Sequence, residues 1–349
     1  MYTREIQEKR HEPVENGIPL QGTWTGAFEE VDLSKIYRPY SIPLPKEVRN
    51  LRVKEWESFI IQNDRIYLQA RLCNLKYYRT ALVVMFNKET KERLEFKKTL
   101  PGGAWRLPRS LSNASVESRS YGFFFRIHTW LDANCIQLEL NVEKRQKRPA
   151  LTVQATFDLA VSKTTPVAVS LLFSERRNMY AYKALTAVRG DLVSGGQHIQ
   201  LDPVRTSGIF CDFKGYYPYR LHSTWCSAMG FDSQNQRFGF ALGENQAKES
   251  FKNNENALWI DGNLTPLPPV KITQNGSAAS DWIIQDMEGM VDLVFTPREL
   301  GSNVKNSIFS SSEYEYSLGF FNGLVLSAKG EEIPVHNVWG TGEKLYLRV

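Results

Sequence analysis

Along most of this 349-residue chain, hydrophobic and polar residues alternate with a period of two. In residues 134–143, Ile136, Leu138, Leu140 and Val142 fall on one side of an extended strand, and Gln137, Glu139, Asn141 and Glu143 on the other. Residues 65–72, 151–157 and 290–295 behave in the same way. Residues 81–86 and 167–173 are apolar on both faces, which predicts strands covered on both sides. Turn signals recur at short intervals: Asn63-Asp64, Pro101-Gly-Gly103, Ser194-Gly-Gly196, Asp261-Gly262, Asn275-Gly276 and Asn322-Gly323. No stretch long enough for an ordinary globular helix holds a 3.6 period. Many short strands with regular turns predict an all-β fold of sandwiches or barrels.

The expected architecture is two consecutive lipocalin-like β-barrels, or barrel-like sandwiches, packed together. The break is expected between Lys147 and Pro166, where the basic run 143–149 is followed, after one strand, by Ser162-Lys-Thr-Thr-Pro166. This assigns residues 15–162 to an N-terminal domain and 163–349 to a C-terminal domain carrying the site. Each half then holds about eight strand candidates, enough to close a barrel. A single large bent sheet gives the same local pattern, so both arrangements stay open at this point.

Composition narrows the class. Hydrophobic residues make up 42% and aromatics 12%, enough for packed cores and too much for a disordered chain. The net charge of +5 is a small difference between 43 basic and 38 acidic residues. The run 143–149 is short and lacks aromatics, so it reads as a solvated connection, and no nucleic-acid partner is expected. Cys73, Cys135, Cys211 and Cys226 form no C-x-x-C pair, which favours reduced thiols and a cytoplasmic location. The first eleven residues are charged and lack the apolar core of a signal peptide, and no apolar run has the length of a transmembrane segment. The Asn-x-Ser/Thr triplets at Asn113, Asn263 and Asn275 are then chance matches. The sequence assigns no oligomeric state.

One stretch departs from the sheet pattern. Residues 212–225 mix charged, aromatic and turn-forming residues densely, and Gly239-Phe-Ala-Leu-Gly-Glu-Asn245 and Asn254-Glu-Asn-Ala-Leu-Trp-Ile-Asp-Gly262 follow. Such a mixture is costly to bury, so it marks a candidate site. Near the start, Gly22-Thr-Trp24 with Gly26 and Phe28 matches the Gly-x-Trp that opens many lipocalin-type barrels, where the indole plugs the barrel floor.

These motifs, together with Tyr182-Lys183, Asp212 with Gly215 and Pro218-Tyr-Arg220, Trp225, Trp282, Val291-Asp-Leu-Val-Phe-Thr-Pro297, Gly319, Gly323, Gly340 and Glu343, resemble the bacterial family catalogued as domain of unknown function 2804. Arg52-Val-Lys-Glu-Trp56 adds a looser match in the first half. Where many members of that family carry Trp-Asn-Trp this chain has Ser223-Thr-Trp225, so the polar Asn is absent and a role for it does not carry over. The family is distantly similar to tandem lipocalin-like proteins that include carotenoid hydratases and fungal cyclisation catalysts. That kinship implies two barrels more than any activity.

Candidate catalytic residues are Asp212, Lys183, Glu244 and Glu255. Asp212, at a strand end before a Lys-Gly turn, suits a general base or a turn cap. Lys183, inside an apolar strand, requires an anionic partner, and Asp212 is the expected one. Glu244 and Glu255 suit a carboxylate pair that divides acid and base roles, including glycoside chemistry, while Glu255 in Asn253-Asn-Glu-Asn256 equally suits a solvated loop. Candidate ligand-binding residues are Tyr216, Tyr217, Tyr219, Arg220, His222, Trp225, Asn245 and Trp282. Alternation sends Arg220 and His222 to one face and Tyr219 and Leu221 to the other. The five histidines are far apart, so no metal is expected, and the absence of a phosphate loop or nucleophile elbow gives no organic cofactor.

Three functions follow as expectations. The first is a binding protein that encloses a small, largely apolar molecule with a polar end in a barrel cavity. The second is a cofactor-free enzyme doing acid/base chemistry of hydratase, isomerase or cyclase type, or glycan chemistry through paired carboxylates. The third is a structural module whose aromatic cluster packs one barrel against the other.

Overall fold

The computed structural model describes residues 1–103, 106–145, 148–306 and 311–348. They form two large antiparallel sheets, each curled into a half-barrel around its own core, so the all-β, two-barrel expectation holds. Helix is confined to Lys46–Arg52 and the 3₁₀ turns Leu33–Lys35 and Leu131–Ala133 among the described residues.

The first sheet is built from two four-stranded meanders. One comprises Lys54–Gln62, Ile66–Asn74, Tyr78–Asn87 and Arg93–Pro101; the other Ala114–Ser120, Phe123–Trp130, Cys135–Val142 and Leu151–Asp158. Among the described residues, only Arg177–Ser194 and Ser207–Gly215 join them, the first pairing with Leu151–Asp158 and the second with Lys54–Gln62. Gly190, at φ +137°, sits in the long strand where a Cβ would lie 1.9 Å from the Gln154 carbonyl oxygen, so close pairing requires glycine there. Phe59, Leu72, Phe125, Leu140, Val153 and Phe157 from both meanders pack into one enclosed core. Val167–Ser174 pairs with Arg177–Ser194 on one side and with Gly22–Thr25 on the other. Trp24 is buried against Phe28 (4.9 Å), and Phe28 meets Tyr180 edge-on (5.7 Å).

The second sheet runs from Arg220–Phe231 to Glu332–Arg348 and is dominated by three long strands, Val291–Asn306, Ser311–Leu326 and Glu332–Arg348. Its core gathers Phe240, Leu258, Trp282, Phe295 and Phe321. The sheets therefore change over between Gly215 and Arg220. The strands from Val167 to Gly215, expected in a C-terminal domain starting at residue 163, hydrogen-bond into the first sheet, because Leu151–Asp158 finds its partner across the expected break. Lys147, where that break was expected to begin, and Val349 lie outside the described residues.

A third apolar cluster lies between the barrels, where Trp56, Phe213, Tyr217 and Trp225 pack together with Tyr314 and Leu345. The same strands thus serve two cores: one face lines the first barrel and the other meets the second.

Candidate functional site

Strand register decides which polar residues meet. Tyr182, Asp212 and Glu57 are direct cross-strand neighbours, followed by Leu72; one step along, Tyr180, Lys214, Glu55 and Asn74 form the adjacent row. Both rows face the first barrel's interior, where Tyr180, Tyr182, Phe210 and Tyr216 belong to its core. Asp212 and Lys214 are ion-paired and completely buried. Glu57 is equally buried, and neither of its carboxyl oxygens has a partner among the described residues. The same holds for Oδ1 of Asp212 and the hydroxyls of Tyr180 and Tyr182.

Burial, with Asp212 beside it, pushes the Glu57 carboxyl up to about 8. Burial also raises Asp212, partly offset by the Lys214 ammonium. Burial and the Asp212 charge hold the Tyr180 and Tyr182 phenols well above their ordinary value. At neutral pH the cluster therefore presents a protonated Glu57, which can donate, next to the buried Asp212–Lys214 pair. A protonated carboxyl beside one paired with a lysine offers a donor and an acceptor on the same face.

Residues 26–53 cover this end of the barrel. Ile36 and Val53 enter the core, and Arg49 Nη1 donates to the Ile36 carbonyl (2.6 Å). Tyr40 meets Tyr216 edge-on, with centroids 6.0 Å apart.

Lys183 lies on the opposite face of its strand from Tyr182 and so cannot reach Asp212. Its ammonium instead meets Glu255 Oε2 at 2.7 Å across the seam between barrels. The expected Lys183–Asp212 pair is corrected on this ground: Lys183 is opposite Cys211, and the two side chains point to different cores. Glu255 also accepts from Trp225 Nε1 (3.2 Å) and Asn245 Nδ2 (2.8 Å). The loop holding it is polar because it is locked, not because it is solvated. Asn256 accepts from the Gly243 N–H (2.6 Å) and donates to the Pro268 carbonyl (2.7 Å), while Arg4 donates to Asn254 Oδ1 (2.5 Å) and the Asn256 carbonyl (3.1 Å). Gly243 makes room: a Cβ there would lie 2.6 Å from Glu255 Oε1.

A second ion pair crosses the seam nearby. Arg71 binds Glu343, which also accepts from Tyr314 (2.7 Å) and Gln69 (3.0 Å). Trp56 stacks between Phe213 (5.2 Å) and Tyr217 (5.4 Å) and meets Trp225 edge-on. Burial pushes the intervening Cys211 thiol up to about 12, which keeps it protonated and a poor nucleophile.

The remaining candidates scatter. Glu244 reaches out to Lys271 Nζ (2.6 Å) and the Ile272 N–H (2.9 Å), whereas Glu255 points into the seam, so the expected carboxylate pair does not form. Tyr216 lines the first barrel and Tyr217 the seam. Tyr219 is 58% exposed, Arg220 is exposed, and His222 packs at the surface on Tyr346 (5.0 Å). Trp282 belongs to the second core, edge-on to Phe295. His11, Glu12 and Glu30 cluster at the surface, but Lys35 lies against both carboxylates and makes this an ion-pair network. Sequence reasoning missed Glu57, Lys214, Tyr180 and Arg71, and placed Tyr182, Trp56 and Glu343 only as motif residues. Lys214 was within reach, since a residue two after Asp212 on a strand shares its face.

A family model described as domain of unknown function (DUF2804) matches residues 3–348. No curated protein sequence matches the chain. Among solved structures, the crystal structure of kievitone hydratase from Nectria haematococca shares 13% identity over 84% of this chain and 88% of that one, with a TM-score of 0.48. Pseudomonas aeruginosa OccK5 (OpdH) shares 10% identity over 84% of this chain and 96% of that one, with a TM-score of 0.16.

Proposed function

This chain belongs to the DUF2804 family of unknown function, and from its first barrel we propose that it binds a small, largely apolar molecule with a polar end. One observation carries this reading. Five buried polar atoms on Glu57, Asp212, Tyr180 and Tyr182 lack partners among the described residues and share one face of three adjacent strands. Each such atom is costly inside an apolar core, and a barrel that only filled itself would carry leucine or valine there. A ligand hydroxyl or carbonyl would satisfy them, while Phe59, Phe210 and Leu72 offer apolar contact.

A second reading, acid/base catalysis on that ligand, is favoured by the raised Glu57 next to the Lys214-bound Asp212. Protonated Glu57 would donate to a substrate oxygen, and Asp212 would take a proton. The glycan version through Glu244 and Glu255 has no support, since those carboxylates point apart. A cytoplasmic location fits the four free thiols; no helix among the described residues is long and apolar enough to cross a membrane.

Native mass spectrometry of the freshly purified protein, with organic extraction of what departs on denaturation, tests the binding reading. A stoichiometric apolar adduct, absent from Glu57→Leu/Asp212→Leu, is the expected result; an adduct that survives this change refutes the assignment to the barrel. A screen of hydration, isomerisation and cyclisation substrates tests the second reading. Asp212→Asn leaves binding within about tenfold if it supplies one hydrogen bond, and lowers turnover about 10²–10⁴-fold if it is the base.

A further inference from the structure

Three segments distant in sequence meet outside the covered end of the first barrel: the loop around Tyr37 and Arg38, the turn carrying Arg176 and Arg177, and the second barrel's Lys248. They enclose a cleft of about 460 Å³, within the range of small-molecule sites. The Lys248 backbone N–H donates to the Leu172 carbonyl (2.7 Å), which fixes the second barrel's loop against the first barrel.

The cleft lining carries four cations, Arg38, Arg176, Arg177 and Lys248, against one carboxylate, Glu175. No ion pair neutralises any of the four among the described residues. Aromatic rings hold the guanidinium groups in place: Arg38 and Arg176 lie 4.8 and 5.5 Å from the Tyr37 centroid, and Arg177 lies 5.5 Å from that of Tyr40. Arg176 gives one N–H to the Tyr37 carbonyl (3.1 Å) and Arg177 one to Ser174 Oγ (3.3 Å). With five N–H groups on each guanidinium, most remain for a ligand. Arg38 adopts φ +50°, a left-handed conformation that a non-glycine residue holds only against strain. Like charge gathered in a shaped cleft raises the local concentration of anions there.

We propose that this cleft binds the diphosphate or phosphate-ester group of a small molecule. A net excess of three positive charges matches a di- or trianion, and arginine forks suit phosphate oxygens bidentately. The site is independent of the barrel-interior reading and stands if that one fails.

Isothermal titration calorimetry of the full chain with inorganic pyrophosphate, at about 50 mM salt where screening is weak, tests the proposal. Saturable one-to-one binding is expected. Arg176→Gln and Arg177→Gln should each weaken it at least about tenfold, the scale of a lost charge-assisted hydrogen bond, and Arg176→Lys should weaken it less. Arg65→Gln, which removes a surface arginine paired with Glu89, should leave it unchanged. Lys248→Gln, on the other barrel, gives the same reading should an arginine variant melt early. Absent saturation, equal affinity in the Arg176→Gln/Arg177→Gln protein, or an equal loss in Arg65→Gln would overturn the site. Tighter binding of citrate than of pyrophosphate would overturn the phosphate assignment.

Discussion

Replacing Glu57 by glutamine tests the electrostatics of the first barrel with almost no change of shape. In the folded protein burial and Asp212 raise this carboxyl from 4.5 to about 8. Below pH 4.5 the group is protonated in both folded and unfolded chains, so its neutral form costs nothing extra. Between these values the folded chain holds a proton that the unfolded chain has released. Stability therefore falls as pH rises through this window, and the favourable contribution is lost above about 8. At 1.36 kcal/mol per pH unit, the whole span is worth about 5 kcal/mol as a ceiling, and relaxation of the site lowers it. Glu57→Gln removes this titration, leaving the slope from Asp212, which is raised in the same direction. The variant should match the wild type within about 1 kcal/mol at pH 5 and exceed it by a few kcal/mol at pH 9. Urea unfolding followed by tryptophan fluorescence between pH 5 and 9 measures this, with an unchanged m-value showing that the midpoint reports stability. Parallel pH profiles for the two proteins would refute the argument, because they would mean that Glu57 ionises equally readily in both states.

Other outcomes follow from the seam. Lys183→Met strands Glu255 without its cation and should cost about 3–5 kcal/mol, while adding Glu255→Gln should restore more than half; denaturant midpoints of the four proteins in the cycle decide it. Gly243→Ala forces a methyl group against Glu255 and should lower stability by about 1–3 kcal/mol, read from thermal melts. Trp225→Ala removes an indole that touches Trp56, Phe213 and Glu255, and a cost of about 3–5 kcal/mol is expected; unchanged melting would show that the seam does not hold the barrels together.

The sequence disclosed the fold class because alternation is local: each strand carries its own record of which residues share a face. Leu221 is buried and Arg220 and His222 are exposed, as period two required. Tyr219 escapes the pattern because it precedes the strand, which begins at Arg220. Pairing between strands is not local. Whether Lys183 meets Asp212 or Glu255 depends on the register of Arg177–Ser194 against Ser207–Gly215 and on how the second barrel docks, and neither leaves a mark in the residues themselves. Glu255 was ambiguous because a loop that satisfies its own amides has the composition of one that satisfies them with water. Glu57 was hidden for a related reason: in Lys54–Gln62 its polar neighbours Glu55 and Ser58 make the strand look half-solvated, although all three are buried or nearly so. A basic run and a proline look like a linker even where, as with Leu151–Asp158 and Arg177–Ser194, the strands on either side pair.

The bridging of the two meanders by Arg177–Ser194 and Ser207–Gly215 orders events during synthesis. As residue 158 leaves the ribosome, the chain holds two four-stranded sheets, each with an edge whose partner has not been made. Leu151–Asp158 stays an open template for any passing strand until residue 194 has emerged, and Lys54–Gln62 until residue 215. A nascent chain stalled between residues 158 and 215 still has the Lys54–Gln62 edge uncovered, and through that interval a holding chaperone would have this edge to shield.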